Sequence, residues 1–239
     1  MEQFCRTALL VGEEGMKNIS QSSVAVIGLG GVGSYTVEAL ARAGVGRLRL
    51  VDFDVVEASN INRQLPALIS TIGRPKAQVM AQRVADINPL CKTEELVEFF
   101  DDNQRHILQG MDWVVDAVDT VTAKLAIITG CIEAGISVVS SMGAGNKLNP
   151  GLLRVSDISE SYNCPLARVL RKELHKRGIH SGVPVVWSPE KPLVPLEKLT
   201  QASRRQLPGS FPPVPAVAGL LLASHILNQL LKKAPCQQI

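Results

Sequence analysis

The first 141 residues alternate short apolar runs with longer segments of helical period. The apolar runs have the length and the β-branched content of buried strands. They predict strands at 23–29, 47–52, 93–97, 112–116 and 137–141. The segments between them predict helices at 32–43, 75–87 and 120–134. Such alternation predicts an α/β fold, a doubly wound Rossmann-like sheet that is mostly parallel, with helices on both faces.

The pattern changes beyond residue 143, where glycine and proline interrupt it. One more strand is predicted at 152–157, as a C-terminal extension of the sheet. Residues 188–215 contain seven prolines, too many for a regular element, and predict a long crossover loop. The loop returns the chain to a final helix at 216–232. We therefore expect a single domain over 1–239, with a core at 1–145 and an extension at 146–239.

Composition is that of an ordinary globular protein, with 46% hydrophobic and 20% charged residues. A net charge of +3 does not require a nucleic-acid partner, but it leaves room for a local basic patch. The last apolar stretch is interrupted by Pro215, His225 and Asn228, which favours a buried helix over a membrane span. The N-terminus lacks the layout of a secretory signal, so we expect a cytoplasmic protein with no membrane partner.

The five cysteines are scattered and form no C-x-x-C pair. This spacing predicts neither a structural zinc nor a disulfide framework, and favours reduced thiols. Cys164 is the one candidate nucleophile after Ser141, although an inert thiol is the favoured interpretation.

A glycine-rich turn follows the first predicted strand and opens the first helix, with glycines at Gly28, Gly30, Gly31 and Gly33. Glycine lets the backbone approach a phosphate, and the helix N-terminus supplies unpaired N–H groups and positive potential. Asp52 ends the second strand, where a carboxylate can accept hydrogen bonds from ribose hydroxyls. Alone, this pattern predicts that the protein binds a nucleotide, and an NAD-dependent dehydrogenase remains an alternative function.

The next segment favours chemistry at a phosphate. Ser59, Asn60, Asn62 and Arg63 follow the second strand, and Lys76 opens the next helix. A dehydrogenase holds a pyrophosphate that is not cleaved, so backbone amides suffice. Attack on an α-phosphate develops charge on the transferring group and on departing pyrophosphate, which fixed cations such as Arg63 and Lys76 stabilise. The alternative is two surface cations at a helix end.

Asp119 lies just after the fourth strand, at the edge of the sheet where ligands of open α/β folds bind. Its carboxylate is a candidate ligand for magnesium beside a triphosphate. Asp119 is also a candidate N-cap of the helix at 120–134, and the two roles are compatible.

These motifs, taken together, resemble the ubiquitin-activating-enzyme-like family of adenylating proteins, which includes ThiF, MoeB and HesA. The resemblance rests on the glycine turn, VDFD at 51–54, SNINRQ at 59–64, Gly73-x-x-Lys76 and DAVDT at 116–120. It implies ATP and Mg²⁺ as cofactors, with magnesium on Asp119. It implies catalytic roles for Arg63, Lys76, Asp119 and Arg6. It implies nucleotide contacts from Gly28, Gly30, Gly31, Gly33, Asp52, Asp54, Ser59, Asn60, Asn62 and Thr120. Arg6 resembles an arginine that reaches into the partner subunit's site, which implies a homodimer.

A narrower resemblance spans nearly the whole chain. FCRTALLVGEEG at 4–15, SMGAGNKLNP at 141–150 and GSFPPVPAVAGLLLAS at 209–224 are similar to the branch of this family that cyclises threonylcarbamoyladenosine in tRNA. This implies ATP-dependent dehydration through an acyl-adenylate of the threonine carboxylate, with modified tRNA as partner. In this picture 1–145 is the nucleotide-binding part and 146–239 carries the substrate and crossover elements.

Other functions stay open at this point. One is an adenylyltransferase that activates the C-terminal Gly-Gly of a ubiquitin-like sulfur carrier. The others are an NAD-dependent oxidoreductase and a tRNA-binding module without catalysis. A sulfur-relay protein is a further candidate partner.

A tRNA substrate predicts a basic surface. Six basic residues recur at helical spacing, so that most of them are predicted to share one face: Arg168, Arg171, Lys172, His175, Lys176 and Arg177. The alternative is a helix face that is simply exposed to solvent. Weaker signals of the same kind are Arg204–Arg205 and Lys232–Lys233.

Overall fold

The computed structural model of this chain describes residues 2–196 and 208–232. One seven-stranded sheet runs through it in the order β3-β2-β1-β4-β5-β7-β6. All neighbouring strands are parallel except the antiparallel pair β6–β7. The strands are β1 (Ser23–Ile27), β2 (Arg47–Val51), β3 (Lys92–Leu96), β4 (Trp113–Asp116), β5 (Ser137–Ser141), β6 (Arg154–Asp157) and β7 (Pro184–Trp187).

Helices cover both faces of the sheet, as the alternating pattern predicts. They are α1 (Cys5–Gln21), α2 (Gly33–Ala43), α3 (Lys76–Ile87), α4 (Val121–Glu133), α5 (Pro165–His175) and α6 (Pro213–Lys232). One core cluster joins the sheet to α2, α3 and α6, through residues such as Leu40, Met80 and Leu222. The second core joins the other face to α4 and α5, through Ile127 and Leu170. The predicted doubly wound fold is therefore confirmed.

Three elements differ from the sequence-based expectation. Helix α1 was not predicted, because glycines interrupt its apolar pattern; Gly12 has φ 71° and ψ 178°, which kinks the helix there. Strand β7 was not predicted either, because it is only four residues long and irregular chain flanks it on both sides. Helix α6 begins at Pro213 rather than at 216, because proline is well accommodated in the first turn of a helix.

Helix α6 is long and apolar enough to cross a membrane, judged by length and composition alone. In the structure it packs against α2 instead, and Val214, Leu222 and Ile226 are fully buried in the core. The approach is close at Gly219, where a Cβ would lie 2.2 Å from the carbonyl oxygen of Val32. The predicted buried helix is thus present, and it carries the chain end back to the start of α2.

A fully buried ion pair lies at the carboxyl end of β4. Lys124 Nζ is 3.0 Å from Asp116 Oδ2, and neither side chain has any exposed surface. The ammonium also donates to Ser140 Oγ at 3.3 Å and to the carbonyl of Ser141 at 2.7 Å. Asp116 in turn accepts from the Val118 N–H at 3.3 Å. The pair therefore ties β4, β5 and α4 together and fixes the loop that follows β4.

Removal of one member of this pair leaves a buried charge without a partner. We expect Lys124→Met to lower the free energy of unfolding by about 3–5 kcal/mol, measured by urea denaturation. The double variant Asp116→Asn/Lys124→Met should recover much of that loss, because it leaves no buried charge. A single variant within about 1 kcal/mol of the wild type would contradict this assignment.

Candidate functional site

The carboxyl ends of β1, β2 and β4 meet at one edge of the sheet. Gly28 follows β1 with φ 88°, and its N–H donates to the carbonyl of Val51 at 2.8 Å. A Cβ at Gly28 would lie 2.8 Å from the carbonyl oxygen of Ala117, after β4. A Cβ at Gly33 would lie 1.8 Å from the carbonyl oxygen of Gly28. Glycine is therefore required at both positions for the strand to turn directly into α2.

The turn presents backbone N–H groups to the space above the sheet. Within the described residues, the N–H groups of Gly30 and Gly31 have no backbone partner, and α2 has no side-chain cap at Val32. Unpaired N–H groups at a helix N-terminus attract an anion. A Cβ at Gly31 would meet Pro215 at 3.2 Å and the Arg63 side chain at 3.4 Å. The geometry therefore fits a phosphate group held by the backbone, with Arg63 beside it.

Asp52 lies beneath the turn and is only 8% exposed. Its carboxylate accepts hydrogen bonds from the N–H of Leu29 at 2.6 Å and from the N–H of Asp54 at 2.8 Å. Burial raises the pKa of Asp52, although these N–H groups and the nearby Lys76 act in the opposite direction. The side chain is thus held rigidly at the end of β2, where a ribose hydroxyl would reach it.

Lys76 is held at the same edge of the sheet by Asp54. Its Nζ lies 2.7 Å from Asp54 Oδ2, and its backbone N–H donates to the carbonyl of Asp54 at 3.0 Å. The Lys76 side chain is 6% exposed, whereas that of Asp54 is 46% exposed. A buried ammonium whose one carboxylate partner faces solvent can exchange that partner for a bound phosphate.

Arg63 and Asn62 reach the turn from the loop after β2. Arg63 Nη1 donates to the carbonyl of Ser59 at 2.9 Å and to Asn62 Oδ1 at 2.8 Å. Asn62 Nδ2 donates to the carbonyl of Ser210 at 3.2 Å. The structure therefore brings Arg63, Asn62 and the glycine turn together, as the spacing predicts.

Two other predicted nucleotide contacts form hydrogen bonds inside this loop. The Asn60 side chain is 8% exposed, and its Oδ1 accepts from the N–H of Glu57 at 3.2 Å. Ser59 Oγ donates to the Glu57 carboxylate at 3.1 Å. In this geometry Asn60 and Ser59 shape the loop that carries Arg63.

Asp119 lies after β4, and its carboxylate has no hydrogen-bond partner among the described residues. The N-cap of α4 is Thr120, with φ −94° and ψ 134°. The prediction that Asp119 is the N-cap is therefore wrong, because the cap lies one residue later. The described chain contains no cluster of three His, Cys, Asp or Glu that could bind a metal by itself. Mg²⁺ accepts one or two carboxylates when phosphates and water supply its other ligands. Asp119 therefore fits a magnesium ion that arrives with a triphosphate.

Arg6 lies near the end of α2 that is opposite to the glycine turn. The ring of Phe4, two residues before it, packs 3.5 Å from the Cβ position of Gly44, at the C-terminus of α2. The glycine turn lies at the N-terminus of the same 11-residue helix, about 16 Å away. Arg6 is exposed on α1, and the structure does not bring it to the glycine turn of its own chain.

The six basic residues predicted to share a helix face lie on α5 and just after it, but they do not all face solvent. Arg171 is turned inward and donates to the carbonyl of Ser161. Lys176 and Arg177 pair with Glu173, at 2.6 Å and 3.6 Å. The members without a carboxylate partner in the described chain are Arg168, Lys172 and His175. Arg204, Arg205 and Lys233 lie outside the described residues.

The four described cysteines are free thiols. Burial raises the pKa of Cys91 to about 11 and that of Cys131 to about 12, so neither is a thiolate at neutral pH. Cys164 is buried at the N-cap of α5, with Sγ 3.5 Å from the Cβ position of Gly143.

Two buried polar groups next to the site were not predicted from the sequence. Lys124 stands within an apolar helical run, and a lysine in that context signals a buried partner. Gln64 is 9% exposed beside Gly30, and its Oε1 has no hydrogen-bond partner in the described structure. An orphaned amide oxygen at the glycine turn is consistent with a site that a polar ligand completes.

Comparison with known proteins agrees with the motifs. The sequence model of the ThiF family matches residues 4–239. The tRNA threonylcarbamoyladenosine dehydratase of Bacillus subtilis (strain 168) is 41% identical over 250 aligned positions, which cover 100% of this chain and 98% of the relative. The sulfur carrier protein adenylyltransferase of Thermus thermophilus is 34% identical, but over 58% of this chain and 52% of its own length.

Solved structures give the same result. The crystal structure of the E. coli tRNA N6-threonylcarbamoyladenosine dehydratase, TcdA, in complex with ATP matches with a TM-score of 0.89 and 34% identity. The match covers 99% of this chain and 97% of that chain. The complex of the same enzyme with AMP matches with a TM-score of 0.88. This chain therefore belongs to the ThiF family, and its full-length likeness is to the tRNA threonylcarbamoyladenosine dehydratases of that family.

Proposed function

We propose that this protein uses ATP to dehydrate threonylcarbamoyladenosine in tRNA, through an acyl-adenylate of the threonine carboxylate. The observation that carries the proposal is the convergence of the glycine turn, Arg63 and Lys76 at one edge of the sheet, in a chain whose likeness to the dehydratases is full-length. The sulfur-carrier relative, in contrast, matches little more than half of this chain.

The reaction has two steps that balance without any added oxidant or reductant. A carboxylate oxygen of the substrate attacks the α-phosphorus of ATP, an acyl-phosphate bond forms, and pyrophosphate leaves. The carbamoyl group of the same nucleoside then attacks the activated carbonyl carbon and gives up its N–H proton. The ring closes, and AMP leaves with the former carboxylate oxygen. No enzyme nucleophile is needed, which agrees with buried Cys164.

Each group at the site has a part in this scheme. The N–H groups of Gly30 and Gly31 hold a phosphate, and Asp52 accepts from the ribose. Arg63 and Lys76 stabilise the charge that develops on the α-phosphate and on pyrophosphate. Magnesium, carried by the triphosphate and by Asp119, supplies further charge neutralisation when bound.

The tRNA would contact the basic surface of α5. Arg168 and Lys172 are exposed there without carboxylate partners in the described chain. Cations in this state are available for phosphate contacts, which would make tRNA affinity fall with salt. We place the enzyme in the cytoplasm, where ATP and tRNA are available. A sulfur-relay partner stays a prediction of the sequence alone.

Incubation of the protein with ATP, Mg²⁺ and tRNA that carries threonylcarbamoyladenosine should remove one water from that nucleoside, measured by mass analysis of the digested tRNA.

We expect Arg63→Ala to reduce the rate of this dehydration about 10²–10³-fold, because one cation at the developing charge is lost. Arg42→Ala is the matched control, since Arg42 pairs with Glu38 on the surface of α2. Turnover of a Gly-Gly carrier protein with no change in the tRNA would contradict the proposal, as would stabilisation by NAD and not by ATP.

The buried Asp52 predicts a pH dependence of ATP binding. Its pKa is raised by burial, so it protonates at a higher pH than an exposed aspartate and loses acceptor capacity for the ribose. ATP affinity should therefore fall as the pH is lowered toward this raised pKa. Stability should not fall with it, because a buried carboxylate with a raised pKa contributes more stability once it is protonated.

Asp52→Asn tests this directly. An amide has a single acceptor oxygen, so the side chain of this variant cannot accept from the Leu29 N–H, the Asp54 N–H and the ribose as the carboxylate can. ATP affinity should therefore drop about tenfold at neutral pH. The difference in affinity between the two proteins should narrow as the pH falls, in calorimetric titrations with the same ATP solutions. Parallel pH profiles would show that Asp52 does not contact the nucleotide.

We further propose a homodimer in which Arg6 completes the partner's site, because Arg6 lies a helix length from its own glycine turn. Arg6→Ala and Arg63→Ala should each retain at most about 1% of wild-type activity alone. Mixing them under exchange should restore about a quarter of wild-type activity, since half of the dimers are mixed and each has one intact site. No recovery, with mixed dimers shown by mass spectrometry, would overturn the shared site.

A further inference from the structure

Asn146 has an unusual backbone conformation in the loop after β5. It adopts φ 59°, and within the described residues only Asn163 shares a positive φ among non-glycine positions. Asparagine tolerates this region because its short polar side chain can bond locally. A residue held in such a conformation indicates that the surrounding contacts determine its geometry.

The contacts of Asn146 join two segments that are distant in sequence. Its N–H donates to the carbonyl of Gly209 at 2.8 Å, and its Oδ1 accepts from the N–H of Gly209 at 2.6 Å. Its carbonyl accepts from the N–H of Leu193 at 2.8 Å. One residue therefore fixes the positions of both Leu193 and Gly209.

Neighbouring residues make the same connection more rigid. Lys147 is buried, and its Nζ donates to the carbonyls of Ser188 at 3.1 Å and Glu190 at 2.6 Å. The Glu190 carboxylate accepts from the N–H of Leu148 at 2.9 Å. The loop that carries Asn146 is thereby anchored independently of Gly209, so that Asn146 can act as a fixed point for Gly209.

The segment held by Asn146 leads directly to the candidate nucleotide site. Ser210, next to Gly209, accepts from Asn62 Nδ2 at 3.2 Å, and Asn62 Oδ1 accepts from Arg63 Nη1 at 2.8 Å. Five residues further along, Pro215 packs 3.2 Å from the Cβ position of Gly31. A continuous set of hydrogen bonds therefore runs from Asn146 through Gly209–Ser210 to Asn62 and Arg63.

We propose that Asn146 is a positioning residue of the ATP site, which acts through Ser210 and Asn62 to hold Arg63 against the glycine turn. The proposal rests on the ATP use proposed above. It predicts that the loss of the Asn146 side chain weakens ATP binding without any contact between Asn146 and the nucleotide.

The test is Asn146→Gly, which accommodates the positive φ and removes the side-chain acceptor. We expect the Kd for ATP to rise about five- to tenfold, which corresponds to the loss of one hydrogen bond to the backbone. Asn146→Asp retains an acceptor and tolerates this backbone conformation, so it should restore affinity to within about twofold of the wild type. The matched control is Asn163→Gly, at φ 56°, which should leave the Kd for ATP unchanged.

A coupling measurement separates positioning from a general loss of stability. In an Asn62→Ala background, Asn146→Gly should add little to the Kd for ATP, because the connection is already broken. Additive effects would overturn the proposal, as would a wild-type Kd in Asn146→Gly. If Asn146→Gly does not fold, Gly145→Ala is the substitute variant. Its Cβ would lie 2.8 Å from the Pro208 side chain and would displace the same segment, so it should raise the Kd for ATP similarly. A wild-type protein that does not bind ATP would instead refute the proposed function.

Discussion

The close approach of β1 to the start of α2 is the constraint on which the rest of the site depends. The backbone reverses in a space where a Cβ at Gly33 would lie 1.8 Å from the carbonyl oxygen of Gly28. This contact places unpaired N–H groups at the point where the strand order reverses, between β1 and β4. In doubly wound sheets that point is where ligands bind. The turn supplies an anion cradle, but not a specific reaction.

The reaction depends on the cations that the surrounding loops bring to this cradle. Lys76 arrives on α3 and is held by Asp54, while Arg63 arrives on the loop after β2 and packs against Gly31. Lys76 is held by Asp54, and Arg63 is held by the Ser59 carbonyl and by Asn62, so protein contacts fix the position of both cations. Preorganised charges of this kind stabilise developing negative charge without reorganisation during the reaction. The buried pair of Asp116 and Lys124 anchors the end of β4, and the loop that follows this strand carries Asp119.

Much of the fold and of the site could be predicted from the sequence, because both depend on local patterns. Buried parallel strands produce continuous apolar runs, and the glycine turn requires glycines at fixed spacing. Helix α1 and strand β7 were missed, because a kink at Gly12 and a four-residue length leave no clear period. Asn146 was missed because its contacts are with Leu193 and Gly209, which no local pattern connects to it. The inward turn of Arg171 likewise depends on Ser161 and reduces the predicted basic face.

The proposed reaction depends on activation of a substrate carboxylate by adenylation. The most direct measurement uses tRNA whose threonylcarbamoyladenosine carries ¹⁸O in its carboxylate, with mass analysis of the nucleotide products. Attack on the α-phosphorus transfers one labelled oxygen to AMP for each ring closed, and leaves inorganic pyrophosphate unlabelled. Release of ADP with labelled inorganic phosphate would show attack on the γ-phosphorus, and would contradict the account.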